Sequence, residues 1–207
     1  PLPGLVNVQN AALALVMTMR AGVPAETAVA ALASAHNIPG RMQRITRRDG
    51  VRGTCIVDFA HTPDAMELAL RAVRQIPPGR LIVVFGSDGD RDRGKRPMLG
   101  EVAARLADVL IVTDENPRSE DPRTIRDAIL SGVRSVRPDL ADVEEITTWR
   151  GDAVRRGVEI CGPQDTVVVT GKGHEPFQEV AGDFIRYNDA PVMRQAAEAK
   201  WGPVTPA

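Results

Sequence analysis

Short runs of apolar, mostly β-branched residues alternate along most of the chain with longer stretches whose apolar positions recur at helical spacing. The runs are Thr54 to Asp58, Leu81 to Phe85, Val109 to Thr113, a weaker one at Val143 to Thr147, and Thr166 to Thr170. They predict strands. Between them helical patterns begin near Pro63, Pro97, Pro122 and Arg150, and Thr62 and Asp121 stand as N-caps directly before a proline at the first helical position. Strands alternating with helices of this length predict βαβ units and an α/β fold with a doubly wound, mostly parallel sheet. Phe184 to Tyr187 and Ala190 to Ala199 read as an edge strand and a closing helix.

Two helical stretches precede this array. Val8 to Arg20 is apolar on nearly every face, which predicts a buried helix ending near Gly22. A second helix, with Pro24 near its start, covers Glu26 to Ala35 and is broken by Asn37, Pro39 and Gly40. These helices belong to a different grammar from the strand–helix array, and the short segment Asn37-Ile38-Pro39-Gly40 is a candidate hinge.

Composition narrows the classes. The 207 residues are 43% hydrophobic and 26% charged, as in an ordinary globular protein. With 26 Lys and Arg against 27 Asp and Glu, no global basic field recruits nucleic acid or an anionic membrane, so neither partner is expected. No apolar run reaches the ~20 residues of a membrane-spanning helix, and Pro1-Leu2-Pro3-Gly4 lacks the features of a signal peptide. Cys55 and Cys161 each sit among apolar residues and read as reduced, buried thiols. A cytoplasmic location is therefore the expectation.

In an open α/β sheet, ligands bind outside the carboxyl ends of the strands. Those ends carry Asp58-Phe59-Ala60-His61, Gly86 through Arg96, Asp114 through Arg118, and Gly171-Lys172-Gly173-His174-Glu175, while the strands themselves are apolar. Taken alone, Asp90 to Arg96 could be a solvated loop whose charges pair with one another. A phosphate-binding P-loop is absent, because Lys172 is followed by glycine rather than serine or threonine, and no dinucleotide fingerprint occurs. His36 lies at a helix end and reads as structural; His61 and His174 fall at strand ends without metal-ligand spacing, so no zinc site is expected. Arginines such as Arg91 and Arg118 suit a carboxylate and Glu175 suits an ammonium group, a mixture matched to an amino acid.

The ordered segments Asn7 to Ala12, Gly40-Arg41-Met42, Asp58 to Asp64, Gly89 to Pro97, Asn116-Pro117-Arg118 and Gly171 to Glu175 resemble the Mur ligase family, in its carboxyl-terminal part and its diaminopimelate-adding branch. The resemblance covers nearly all of the chain. It implies that residues 1–38 end a central ATPase domain, that 39–203 form a Rossmann-like amino-acid-binding domain, and that 204–207 are a tail. It further implies an ATP- and Mg2+-dependent ligase that joins 2,6-diaminopimelate to a UDP-N-acetylmuramoyl dipeptide through an acyl phosphate. The P-loop and most Mg2+ ligands then belong to the central domain, and these 207 residues alone are expected to be inactive.

Carried over by position, the resemblance assigns Asn10 to adenine and Asp58 to the ribose. Arg41 becomes the hinge arginine that reaches the ATP phosphates, a catalytic role, and His61 a neighbour on the nucleotide side. Arg91, Asn116, Arg118, Gly171 and Glu175 match positions that hold diaminopimelate, with Arg118 on the distal carboxylate that lysine lacks. Four positions depart from the family pattern. Glu115 stands where Asp precedes Asn-Pro-Arg, Asp88 replaces a glycine, Gln43 replaces Glu and Phe59 replaces Tyr. A lysine-adding ligase and a non-catalytic amino-acid-binding module are the alternatives.

Overall fold

The computed structural model describes residues 5–35, 38–75 and 79–204. His36 and Asn37, Pro1 to Gly4 and the tail beyond Val204 lie outside them. In chain order the elements are α1 (Leu5–Arg20), α2 (Ala25–Ala33), β1 (Gln43–Thr46), β2 (Thr54–Val57), α3 (Pro63–Arg74), β3 (Leu81–Phe85), α4 (Lys95–Leu106) and β4 (Val109–Val112). The second half holds α5 (Pro122–Val136), β5 (Val143–Glu145), α6 (Arg150–Ile160), β6 (Thr166–Val169), β7 (Phe177–Val180), β8 (Asp183–Arg186) and α7 (Asp189–Trp201).

Helices start where the caps put them. Thr62 Oγ1 accepts from the Ala65 amide at 3.3 Å, Asp121 Oδ1 accepts from the Arg123 amide at 2.9 Å, and a proline comes directly after each cap. The main sheet has the order β1-β2-β6-β3-β4-β5. All neighbours in it are parallel except β1, which is antiparallel to β2. Because successive strand side chains point to opposite faces, the strands feed two cores. Ile56, Val83, Phe85, Leu110 and Val168 face α3, α4 and α5. Cys55, Val57, Ile82, Val84, Ile111 and Val169 face α6 and α7. Cys55 and Cys161, distant in sequence, are both buried and free on that second face and interact with each other, which pushes the Cys55 thiol up.

The position of β6, between β2 and β3, decides the site. β6 is the last strand of the array in sequence, yet it hydrogen-bonds to the first and second parallel strands. The loop after β6 therefore emerges beside both the Asp58 loop and the loops after β3 and β4. A buried ion pair holds this arrangement from below: Arg150 Nε and Nη2 meet both Asp189 oxygens at 2.9 Å, and Nη2 also donates to Thr170 O at 2.8 Å. Tyr187 adds its hydroxyl to Asp189 at 2.7 Å.

Two expectations need correction. The first helix forms but is not buried: Val8 is 61% exposed and Met17 63% exposed, because α1 packs on α2 and the margin of a cleft and not into either core. The run at Phe184 to Tyr187 does not extend the main sheet; its strand β8 pairs with β7 in a separate antiparallel hairpin. The antiparallel edge is β1, which is only four residues long and has a bulge in its register with β2. No described helix is long and apolar enough to cross a membrane.

Candidate amino-acid and nucleotide sites

The ends of β2, β3, β4 and β6 lie on one edge of the sheet, as their loop chemistry suggests, and two sites form there. The first is a cleft of about 350 Å3 between α1, the segment entering β1, and α3. Asn7, Asn10, Arg41 and Asp58 bring polar groups to it, over a floor that includes Met42, Leu68 and Ala69. Three of the residues assigned to the nucleotide, Asn10, Arg41 and Asp58, are thus brought together. Asp58 is fixed: Oδ2 accepts from the Met42 amide at 2.7 Å and Oδ1 from the Ala60 amide at 2.9 Å. Arg41 is exposed and lies over the Phe59 ring, 4.3 Å from its centroid. His61 does not line the cleft; its Nδ1 is 3.0 Å from Phe59 O and its ring meets Phe59 edge-on.

The junction between the two sites is backbone against backbone. Gly40 has φ +67°, and a Cβ there would collide with the Gly173–His174 peptide. Only glycine combines that φ with that approach.

The second site is a cluster at the ends of β4 and β6. Lys172, fully buried, donates through Nζ to Asn116 Oδ1 at 2.7 Å, Glu175 Oε2 at 2.9 Å and Phe177 O at 2.6 Å. Asn116 Nδ2 donates to Asp88 Oδ1 at 2.9 Å and to Glu175 Oε2 at 3.2 Å. Every proton of the ammonium and of the amide is placed. Arg118 has φ +54°, strained for a side chain with a Cβ, and the hairpin holds it there. Its amide donates to Glu179 O at 3.0 Å, its Nε to Glu179 Oε2 at 3.0 Å and its Nη1 to Gly89 O at 2.9 Å. Its Nη2 faces Asp88 Oδ2 at 3.8 Å.

Burial and charge shape this cluster. Glu115 is almost wholly enclosed against Gly171, whose φ of +110° and lack of a Cβ leave room for the carboxyl. Desolvation, with the charge of Asp88 second to it, pushes its carboxyl up to about 7. Glu175 goes the other way. Burial acts to raise it, but the Lys172 ammonium and the Asn116 amide outweigh that and hold it below the usual carboxylate range. The neighbouring Asp114 turns away to Arg126 Nη1 at 2.5 Å.

Of the residues assigned to the amino acid, Asn116, Arg118, Gly171 and Glu175 converge. Arg91 does not join them: it is exposed in the loop after β3 and makes no ion pair among the described residues. Nor is that loop a set of charges pairing only among themselves. Asp90 bonds to Ser119, and buried Arg96 grips Glu120 at 2.8 and 3.0 Å, so the loop is tied to the one after β4. Sequence reasoning passed over Lys172 and the β7 strand, which supplies Phe177 O and Glu179. A lysine between two glycines directly after an apolar strand, with glutamate three residues on, was the available signal.

Comparison with known proteins identifies the family. Residues 40–173 match the family described as Mur ligase, glutamate ligase domain. A UDP-N-acetylmuramoyl-L-alanyl-D-glutamate–2,6-diaminopimelate ligase of Chelativorans sp. is 45% identical over 201 residues, 97% of this chain and 40% of that protein. A UDP-N-acetylmuramyl-tripeptide synthetase of Leifsonia xyli is 43% identical over 209 residues, 97% of this chain and 39% of that protein. A solved structure of a UDP-N-acetylmuramoyl-L-alanyl-D-glutamate–2,6-diaminopimelate ligase superposes with a TM-score of 0.73 at 37% identity, covering 96% of this chain and 39% of that one. The chain spans about 40% of the length of the curated relatives it matches. On these matches and on the shared α/β architecture, the chain belongs to the Mur ligase family, of which it carries the glutamate ligase domain.

Proposed function

We propose that this chain supplies the amino-acid-binding part of an ATP-dependent amide ligase that adds 2,6-diaminopimelate to UDP-N-acetylmuramoyl-L-alanyl-D-glutamate in peptidoglycan precursor synthesis. The observation that carries this reading is the alternation of donors and acceptors in one cluster: the Asn116 amide beside Glu175, both oriented by Lys172, and Arg118, held by Glu179 and Gly89 O. A ligand end bearing both an ammonium and a carboxylate is complementary to that set. In this reading Glu175 and the Gly171 backbone take the ammonium, and Asn116 and Arg118 the carboxylate. Arg91, exposed nearby, adds long-range charge.

The nucleotide side of the reading rests on the cleft. Its apolar floor suits a base, Asn10 offers an amide at its margin, Asp58 is positioned for a ribose hydroxyl, and exposed Arg41 for phosphate oxygens. His61 is the weaker member, since it stands outside the cleft lining. Residues 1–38 in this reading end a central ATPase domain, residues 39–203 form the amino-acid-binding domain, and 204–207 are a tail. Among the described residues no group of three His, Cys, Asp or Glu side chains is placed to hold a metal ion, and in this reading most Mg2+ ligands belong to the central domain.

A lysine-adding activity is the second reading, favoured by the partners Arg118 already has in Glu179, Gly89 O and Asp88. Titration calorimetry of the 207-residue chain with meso-diaminopimelate and lysine separates the two. Saturable binding of diaminopimelate, tighter than lysine and lost in Arg118→Ala, is expected. Absence of diaminopimelate binding, or a preference for lysine, would overturn the reading.

A further inference from the structure

The Asp88 carboxylate stands where a ligand carboxylate would stand. Its Oδ1 accepts from Asn116 Nδ2 at 2.9 Å and its Oδ2 lies 3.8 Å from Arg118 Nη2. These are two donors of the cluster that suit a substrate carboxylate. The other contacts hold the pair in place: Asn116 Nδ2 also donates to Glu175, and Arg118 Nε and Nη1 donate to Glu179 and Gly89 O, which leaves Nη2 turned toward Asp88. An incoming carboxylate therefore meets nitrogens that already face one.

The main chain of Asp88 is held in place. Its carbonyl accepts from Arg96 Nη2 at 3.1 Å, Arg96 is buried and gripped by Glu120, and the next amide, Gly89 N, donates to Asn116 O at 2.8 Å. Only the side chain is left to turn. Its motion exchanges one carboxylate for another on the same donors, at the cost of one ordered rotamer. Asp88 also lies close enough to the enclosed Glu115 for the two carboxyl groups to repel each other, which disfavours charge on both at once.

We infer that Asp88 is a specificity-determining residue acting as an internal competitor: its carboxylate occupies the Asn116 amide and the Arg118 guanidinium, weakens binding of an amino acid with a distal carboxylate, and narrows the preference over one without. This rests on the amino-acid reading above. It also inverts the usual expectation for a residue in a binding site, because removing its charge strengthens binding of the carboxylate-bearing ligand.

The test is calorimetry of the 207-residue chain with meso-diaminopimelate and with lysine, in wild type, Asp88→Asn, Asp88→Ala, Arg118→Ala and the Asp88→Asn/Arg118→Ala double variant. Both Asp88 variants are expected to bind diaminopimelate about tenfold tighter, the scale of one partly screened charge interaction. Lysine affinity should stay level or fall, and the gain should vanish when Arg118 is absent. A second readout needs no ligand: the Asn116 side-chain amide resonances should shift in Asp88→Asn. Unshifted resonances, equal or weaker diaminopimelate binding by both Asp88 variants, or a gain that persists without Arg118 would each overturn the inference. Wild type that binds diaminopimelate with no gain in the variants sinks this inference alone, whereas no binding by any form removes both it and the amino-acid reading.

Discussion

In the cleft beside α1, the side chains of Asn10 and Arg41 are exposed and make no hydrogen bond among the described residues, whereas at the ends of β4 and β6 the polar atoms of Asn116 and Lys172 are all partnered. Both regions lie at strand ends and both use Asn, Asp and a cation. The difference is the number of elements that meet. The cleft is bounded by α1, the entry to β1 and α3, with apolar side chains beneath and solvent above. The cluster is enclosed by the loops after β3, β4 and β6 and by β7. Enclosure removes competing water, so each hydrogen bond there orients its partners and each missing partner is costly. A ligand entering the cleft must order Arg41; a ligand entering the cluster finds its contacts already placed and must displace some of them.

The largest expected effect tests what supports the enclosed region. Arg150 holds Asp189 and the Thr170 carbonyl at the root of the Gly171 loop, with both charges fully buried. Arg150→Met leaves Asp189 without its counter-ion and is expected to cost ~3–5 kcal/mol in urea unfolding. A loss below ~1 kcal/mol would mean that the cluster does not depend on this pair.

An intermediate effect comes from Glu115, whose carboxyl is raised from 4.5 to about 7 in the folded chain. Between those values the folded protein keeps a proton that the unfolded chain has released. Stability should therefore be fully supported below about pH 4.5 by this group and fall as pH rises toward 7, by roughly 2–3 kcal/mol at most. Glu115→Gln should flatten that part of the stability curve; an unchanged slope in the variant would show that Glu115 titrates normally.

The smallest effects belong to the cleft. Asp58→Ala removes acceptors from the Met42 and Ala60 amides and is expected to cost ~1–2 kcal/mol. Arg41→Ala, which loses only a ring contact at the surface, should change unfolding by less than ~0.5 kcal/mol. If Arg41→Ala proved as damaging as Asp58→Ala, the contrast between an open and a wired site would fail.

Much of this was legible in the residues because it depends on local rules. Apolar runs bounded by Gly, Asp and Asn mark β2, β3, β4 and β6, and Thr62-Pro63 and Asp121-Pro122 mark helix starts to the residue. The chemistry at the strand ends was visible for the same reason: Asp58, Asn116 and Glu175 are polar residues shortly after apolar strands. Strands β1 and β7 escaped notice because Gln43–Thr46 and Phe177–Val180 are short and carry mixed polarity. The exposure of α1 escaped notice too, since an apolar helix specifies a need for burial but not a surface to satisfy it.

The sequence by itself determined the helices and the apolar strands, that the sheet is mostly parallel, and which loops carry the chemistry, because backbone sterics, capping and hydrophobic period act over a few residues. Tertiary structure alone decided that β6 inserts between β2 and β3, that Lys172 is enclosed with Asn116 and Glu175 as its partners, and that Asp88 turns its carboxylate onto Asn116 and Arg118. Apart from Lys172–Glu175, those contacts join residues separated by tens of positions or more, from 28 between Asp88 and Asn116 and 56 between Asn116 and Lys172 to 112 between Thr54 and Thr166. Their strength comes from exclusion of water, which no local pattern encodes.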